Sequence, residues 1–174
     1  MFRELNILKI FLESPTKEFN VREASRELKI TPATASKFLK EYAKKSILIE
    51  RKDRNFIFYK ANLDSELYKD IKIFYSIRRI KDSGFIDEIN KFYMKPAIIL
   101  FGSARYGLDT AESDFDIAVI SESTKEFPKK QAFEKILRRK IHLILTMDIK
   151  SIENKHLINN ILNGIVLQGD VKWI

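Results

Sequence analysis

The chain contains no cysteine. Disulfides and thiolate catalysis are therefore excluded, and a reducing cytoplasm is the expected compartment. Histidine is nearly absent, with only His142 and His156, which rules out a His-rich metal site. Glycine and proline are sparse, at 5 and 4 residues, and no internal repeat or low-complexity segment is present. No apolar run reaches the roughly 18 residues that span a bilayer. The first stretch, "MFRELNILKIFLESP", alternates charge with apolar residues and lacks the apolar core and cleavage site of a signal peptide. No membrane partner is expected.

What is there describes an ordinary globular protein: 174 residues, 45% apolar and 32% charged, enough for one medium domain or two small ones. The net charge of +8 is uneven. Residues 1–62 carry 14 Lys/Arg against 8 Asp/Glu, whereas 63–96 carry 7 against 6 and 97–174 carry 11 against 10. A basic first third on a near-neutral remainder points to a polyanionic partner for that third, unless the lysines are simply a solvated surface.

Periodicity predicts a helix over 2–13, with Phe2, Leu5, Ile7, Leu8, Phe11 and Leu12 on its apolar face, stopped by Ser14-Pro15. A short helix is predicted in 19–30, burying Val21, Ala24 and Leu28. A third covers 31–46, with Thr31 as N-cap, Pro32 in the first turn, and Ala35, Leu39 and Tyr42, aided by Phe38, turned inward. "ILIERK" and "FIFYKAN" flank Asp53-Arg54-Asn55 as a hairpin. Helix, helix, helix, hairpin is the order of a winged helix-turn-helix. Residues 64–94 read as helical, broken near Asp82-Ser83-Gly84, with Leu67, Ile71, Phe74 and Ile77 as the buried stripe of a connector. "AIILFGS" is a buried strand, "SDFDIAVI" a second and "KIHLILT" a third, preceded by a helix near 128–139; a closing helix and terminal strand follow.

In a helix-turn-helix the second helix of the motif offers its N-terminal side chains to base edges. Here the outward positions are Ala33, Thr34, Ser36, Lys37 and Lys40: short hydroxyls for bases, then lysines for phosphates. Arg51, Lys52 and Arg54 at the hairpin tip suit an adjacent groove or the backbone. The stretch "VREASRELKITPATASKFLKEYAKKSILIERKDRNFIFYK" resembles the MarR/ArsR-type winged-helix family over about 62 residues. That resemblance implies binding of double-stranded DNA and a homodimer. The family usually has glycine before the first wing strand; Ser46 stands there, and a turn of different shape is expected.

The run "FGSARYGLDTAESDFDIAVI" carries the strongest chemistry. Gly102-Ser103 follows a buried strand, a junction that points backbone N–H groups at an anion. Asp114 and Asp116 are two apart on a strand, so both emerge on one face while Phe115 and Ile117 enter the core. Such a pair repels unless a cation lies between, and Mg²⁺ is held by carboxylates together with substrate phosphates. With its spacing, "GS" then "DFD", the run resembles the DNA polymerase beta-like nucleotidyltransferase superfamily in its minimal form, over roughly residues 85–170. The resemblance implies an α+β fold with a short mixed sheet that binds ATP or another NTP with Mg²⁺, or Mn²⁺, and transfers a nucleoside monophosphate. It assigns Gly102, Ser103 and Arg105 to the nucleotide and Asp114 and Asp116 to metal and catalysis.

There are two departures from that pattern. Family members commonly carry Ala then Arg where Arg105 and Tyr106 stand. The third carboxylate, supplied by the next strand, is replaced by His142, and Asp148 lies six strand residues further, about 20 Å away. Three roles stand open for His142: ligand to Mn²⁺ or Zn²⁺, general base toward an acceptor hydroxyl, or packing. His156 lies on a polar helix face. The basic run "KKQAFEKILRRK" either binds phosphates or forms a solvated helix face.

The expected organisation is a winged helix over 1–62, a helical connector over 63–84 and a minimal nucleotidyltransferase domain over 85–174. The expected function is a cytoplasmic DNA-binding regulator whose second domain binds NTP-Mg²⁺ and transfers a nucleotide such as AMP to a toxin-like partner, as minimal family members that act as antitoxins do. The alternative is a pure winged-helix regulator whose nucleotidyltransferase fold is inactive and serves as nucleotide sensor or dimerisation scaffold.

Overall fold

The structure, a computed structural model, describes residues 3–171, with side chains from Leu5 onward. Contacts divide it into two compact units, one up to Tyr75 and one from Ser76. The division falls inside a helix, eight residues before the end of the connector expected at 84.

The first unit contains α1 (Arg3–Glu13), β1 (Phe19–Asn20), α2 (Val21–Leu28), α3 (Pro32–Lys44), β2 (Leu48–Asp53), β3 (Phe56–Ala61) and the beginning of α4 (Glu66–Asp82). Its three strands form an antiparallel sheet in the order β1-β3-β2. This is a winged helix-turn-helix. Ile7, Leu8, Phe11 and Leu12 of α1 are buried with Leu39, Tyr42, Tyr59 and Tyr68 in one core; Phe2 lies outside the described residues.

Local chemistry sets the helix ends. Phe19 and Asn20, expected in the second helix, form a strand against Tyr59 and Phe58 instead. Asn20 begins α2 rather than joining it, because its Oδ1 accepts the Glu23 N–H (3.0 Å) while Glu23 accepts the Asn20 N–H (2.9 Å). Thr31 caps α3 ahead of Pro32. At the other end of α3, Ile47 N–H reaches Tyr42 O (2.9 Å) and Ser46 N–H reaches Ala43 O (3.0 Å). That bonding pattern needs a left-handed residue after the cap, usually glycine. Ser46 supplies it at φ 57°, so the turn keeps the glycine shape despite the substitution.

The stripe expected on α4 is displaced. Leu67 and Phe74 are exposed, while Tyr68, Lys72 and Tyr75 are buried. The last carbonyls of α1 have no partner within their own helix. Tyr68 Oη donates to Phe11 O (3.0 Å), Lys72 Nζ to Leu12 O, and Tyr75 Oη to Glu13 Oε1 (2.7 Å). Side chains with an apolar body and a donor at the tip serve that helix end better than Leu or Phe.

The second unit takes α4 from Ser76, then α5 (Phe85–Tyr93), β4 (Ala97–Phe101), β5 (Phe115–Ile120), α6 (Lys130–Leu137), β6 (Ile141–Thr146), α7 (Lys155–Leu162) and β7 (Ile165–Gln168). The sheet order is β6-β5-β4-β7, with β5 and β6 parallel and the other pairs antiparallel. All of β4 is buried. Ile98 and Leu100 face one apolar layer with Phe85, Ile89 and Phe133, and Ile99 and Phe101 face the other with Ile149 and Ile161. Period-two alternation thus fills both faces of a small mixed sheet. Among the described residues no helix is long and apolar enough to cross a membrane.

Candidate functional site

The site forms where β4 ends and β5 and β6 begin. After Phe101 the chain enters a tight helical turn, Gly102–Tyr106, closed by Gly107 at φ 67°. Gly102 is itself left-handed, at φ 69°. Asp116 lies opposite Phe101 in one ladder and beside His142 in the other. A Cβ on Gly102 would sit 1.9 Å from Asp116 Oδ2, so only glycine allows this approach. On the other side, His142 Nδ1 lies 3.0 Å from Asp116 Oδ1.

Phe115 and Ile117 are fully buried, while the side chain of Asp116 is 25% exposed and that of His142 54%. The structure therefore brings together Gly102, Asp116 and His142, with Ser103 next in the turn. Arg105 is half-buried and lies over the Tyr106 ring at 4.2 Å. Asp114 is exposed, just before β5, on the wall of a groove of about 640 Å³ shared with Lys135, Arg138 and Lys140. Among the described residues no group of three or more acidic, His or Cys side chains is placed to hold a metal ion. Asp148 is at the far end of β6, capping a short turn through Lys150 N–H (3.0 Å), and His156 is exposed.

The loop that carries Asp114 is braced from beneath. Asp109 and Arg139, both buried, form an ion pair, and the Arg139 guanidinium lies 4.7 Å from the centre of the Phe115 ring. Arg139, which reads as part of the basic run, is thus a structural group and not surface charge. Lys129 pairs with Glu88, whose carboxyl is held at about 2 by Lys129 and then Lys91. Beyond the paired Lys129, the exposed cations of that run are Lys135, Arg138 and Lys140.

On the winged helix, Ala35, Leu39 and Tyr42 are buried and Ala33, Lys37 and Lys40 exposed. Thr34 and Ser36 are half-buried, and the Thr34 hydroxyl lies 2.8 Å from Thr31 Oγ1, within the N-cap. Lys52 and Arg54 are exposed at the wing, where Arg54 adopts φ 51° in a two-residue turn. Arg51 is committed to Glu18 (2.7 Å) and Asp53 (3.2 Å), which hold its guanidinium above its usual pKa. Of the expected contact residues, Lys37, Lys40, Lys52 and Arg54 are accordingly the exposed cations with no ion pair within 4 Å among the described residues. Arg22 and Arg26, which sequence spacing did not single out, line a groove of about 570 Å³ with exposed Phe56; four-residue spacing on α2 is the signal that joins them.

Residues 82–167 match the family described as "Nucleotidyltransferase domain". No curated protein is significantly similar in sequence. Among solved structures, the adhesin competence repressor of Streptococcus pyogenes aligns with a TM-score of 0.39 and 14% identity, covering 53% of this chain and 68% of that one. A score of that size does not establish a shared fold.

Proposed function

We propose that the chain joins a winged-helix module that binds double-stranded DNA to a nucleotidyltransferase domain that binds ATP or another nucleoside triphosphate with Mg²⁺ or Mn²⁺ and transfers its nucleoside monophosphate, such as AMP, to a partner protein. The observation that carries this reading is the close approach of Gly102 to Asp116 inside the stretch matched to nucleotidyltransferases. Backbone N–H groups of Gly102 and Ser103 hold the terminal phosphates, with Arg105 beside them. The donors fit a hard cation: Asp114 and Asp116 offer oxygens, and the glycine lets the phosphate-binding turn pack directly against the Asp116 carboxylate. Once bound, the ion offsets phosphate charge and polarises the phosphorus under attack. The acceptor hydroxyl oxygen forms a bond to the α-phosphorus, the bond to the bridging oxygen breaks, and pyrophosphate leaves.

A carboxylate accepts, so in this reading Nδ1 of His142 donates to Asp116. Nε2 is then the nitrogen that takes the acceptor's proton. A second reading rests on the same residue. Histidine replaces the third carboxylate and no three-ligand group exists among the described residues, which suits a nucleotide sensor or dimerisation scaffold without transfer.

Calorimetry with ATP or GTP and Mg²⁺ tests the site: binding requires the metal and disappears in Asp114→Ala/Asp116→Ala, and its absence from the parent sinks both nucleotide readings. Incubation with α-labelled nucleotide and a candidate partner separates transfer from sensing. His142→Asp lowers transfer if the histidine works and raises it if a missing carboxylate is the limit. For the DNA face, Lys37→Ala and Lys40→Ala each lower the slope of log affinity against log salt by about one. The protein acts as a homodimer, for which exposed Leu67 and Phe74 of α4 supply apolar surface; sedimentation equilibrium checks it.

A further inference from the structure

A concavity of about 970 Å³ in the second unit lies away from Gly102 and Asp116, at the other end of the same sheet. Ala97 opens β4 there, opposite Ile120 at the end of β5, and Thr146 ends β6 beside them. Both methionines beyond Met1 line it: Met94, 81% exposed, and Met147, 66% exposed, with Phe92 at 39%. Flexible thioether side chains in the open are suited to gripping an apolar side chain of varied shape.

The backbone holds this display in place against its own preference. Met94 and Lys95 are consecutive and both left-handed, at φ 55° and 60°. Glycine or asparagine normally ends a helix in that conformation. A methionine there is strained, and strain of this kind collects where a side chain is held out for binding. Among the described residues, Glu122, Asp148 and Asp170 line the same groove against one cation, Lys95. The apolar centre therefore has a negative rim.

The geometry points to a docking groove for a partner protein's basic amphipathic segment. An apolar side chain enters between Met94, Met147 and Phe92, and Lys or Arg on either side meets Glu122, Asp148 and Asp170. An acidic segment meets like charge, and a lipid surface finds no basic rim. The groove is independent of the nucleotide site.

Fluorescence anisotropy on the full chain tests it, using a labelled amphipathic Leu/Lys peptide and its Leu/Glu counterpart. The Leu/Lys peptide binds one to one and the Leu/Glu peptide does not. Glu122→Lys/Asp170→Lys weakens binding about tenfold, and so does Met94→Ser/Met147→Ser. These positions are exposed, so the fold is retained. Equal binding of the two peptides, or parent-like affinity in either double variant, overturns the proposal. Binding that appears only after residues 172–174 are removed assigns the groove to the chain's own Lys-Trp-Ile terminus and overturns it too.

Discussion

Gly102→Ala separates two costs that the site imposes on one residue. The first is conformational: at φ 69° an L side chain is strained by about 1–2 kcal/mol. The second is steric, because the new methyl carbon would lie 1.9 Å from Asp116 Oδ2 and 2.8 Å from its Cγ. The carboxylate must swing aside, and the 3.0 Å contact with His142 goes with it. That contact is partly exposed, so its loss amounts to about 0.5–1 kcal/mol. The single variant thus loses about 1.5–3 kcal/mol. In an Asp116→Ala background the offending oxygen and Cγ are gone, and the remaining Cβ contact of 3.1 Å yields by a few tenths of an ångström. Gly102→Ala should then cost only the conformational part. Urea denaturation of the parent, both single variants and the double variant, followed by circular dichroism, measures the difference as a coupling of about 1 kcal/mol. Equal costs in the two backgrounds, within about 0.5 kcal/mol, would refute the reasoning.

Three further outcomes follow from other contacts. Ser46→Gly relieves a left-handed serine and should raise stability by about 0.5–1 kcal/mol in a thermal melt; a loss would mean that the serine makes a compensating bond. Arg139→Met removes the ion-pair partner of the buried Asp109 carboxylate and should cost about 3–5 kcal/mol, with much of it recovered in Arg139→Met/Asp109→Leu; a loss under about 1 kcal/mol would remove the brace from the account. Glu88 has its carboxyl lowered from 4.5 to about 2, mainly by Lys129, so its contribution is complete above pH 4.5 and is lost as the pH falls toward 2. A side-chain NMR titration of Glu88 should show that low midpoint, and Lys129→Ala should move it upward.

Where the controlling chemistry is local, spacing in the chain was enough to read it. Thr31 and Pro32 announce α3, the run 97–101 announces a strand covered on both faces, and the alternation around Phe115 places Asp116 on the open side. Other features depend on partners far along the chain. The buried face of α4 is chosen by carbonyls at the end of α1, so Tyr68 and Lys72 displace Leu67 and Phe74. Arg51 resembles a free wing cation until the fold sets it against Glu18, and Arg139 resembles surface charge until Asp109 meets it beneath Phe115. Charge pairing of this kind leaves no periodic trace. The place of His142 beside Asp116 was legible because parallel strands of regular length keep a residue and its neighbour in register.

That register has a consequence at the level of the gene. β5 and β6 run in parallel from Phe115 beside Ile141 to Ile120 beside Thr146, so whatever residue occupies position 142 stands next to Asp116. Histidine and aspartate codons differ in a single base, and the position is exposed enough to accept either side chain. One point mutation therefore exchanges an imidazole for a third carboxylate without disturbing the sheet. Gaining or losing an acidic group beside Asp116 is a step a lineage can take in either direction while the winged-helix unit of the protein stays unchanged.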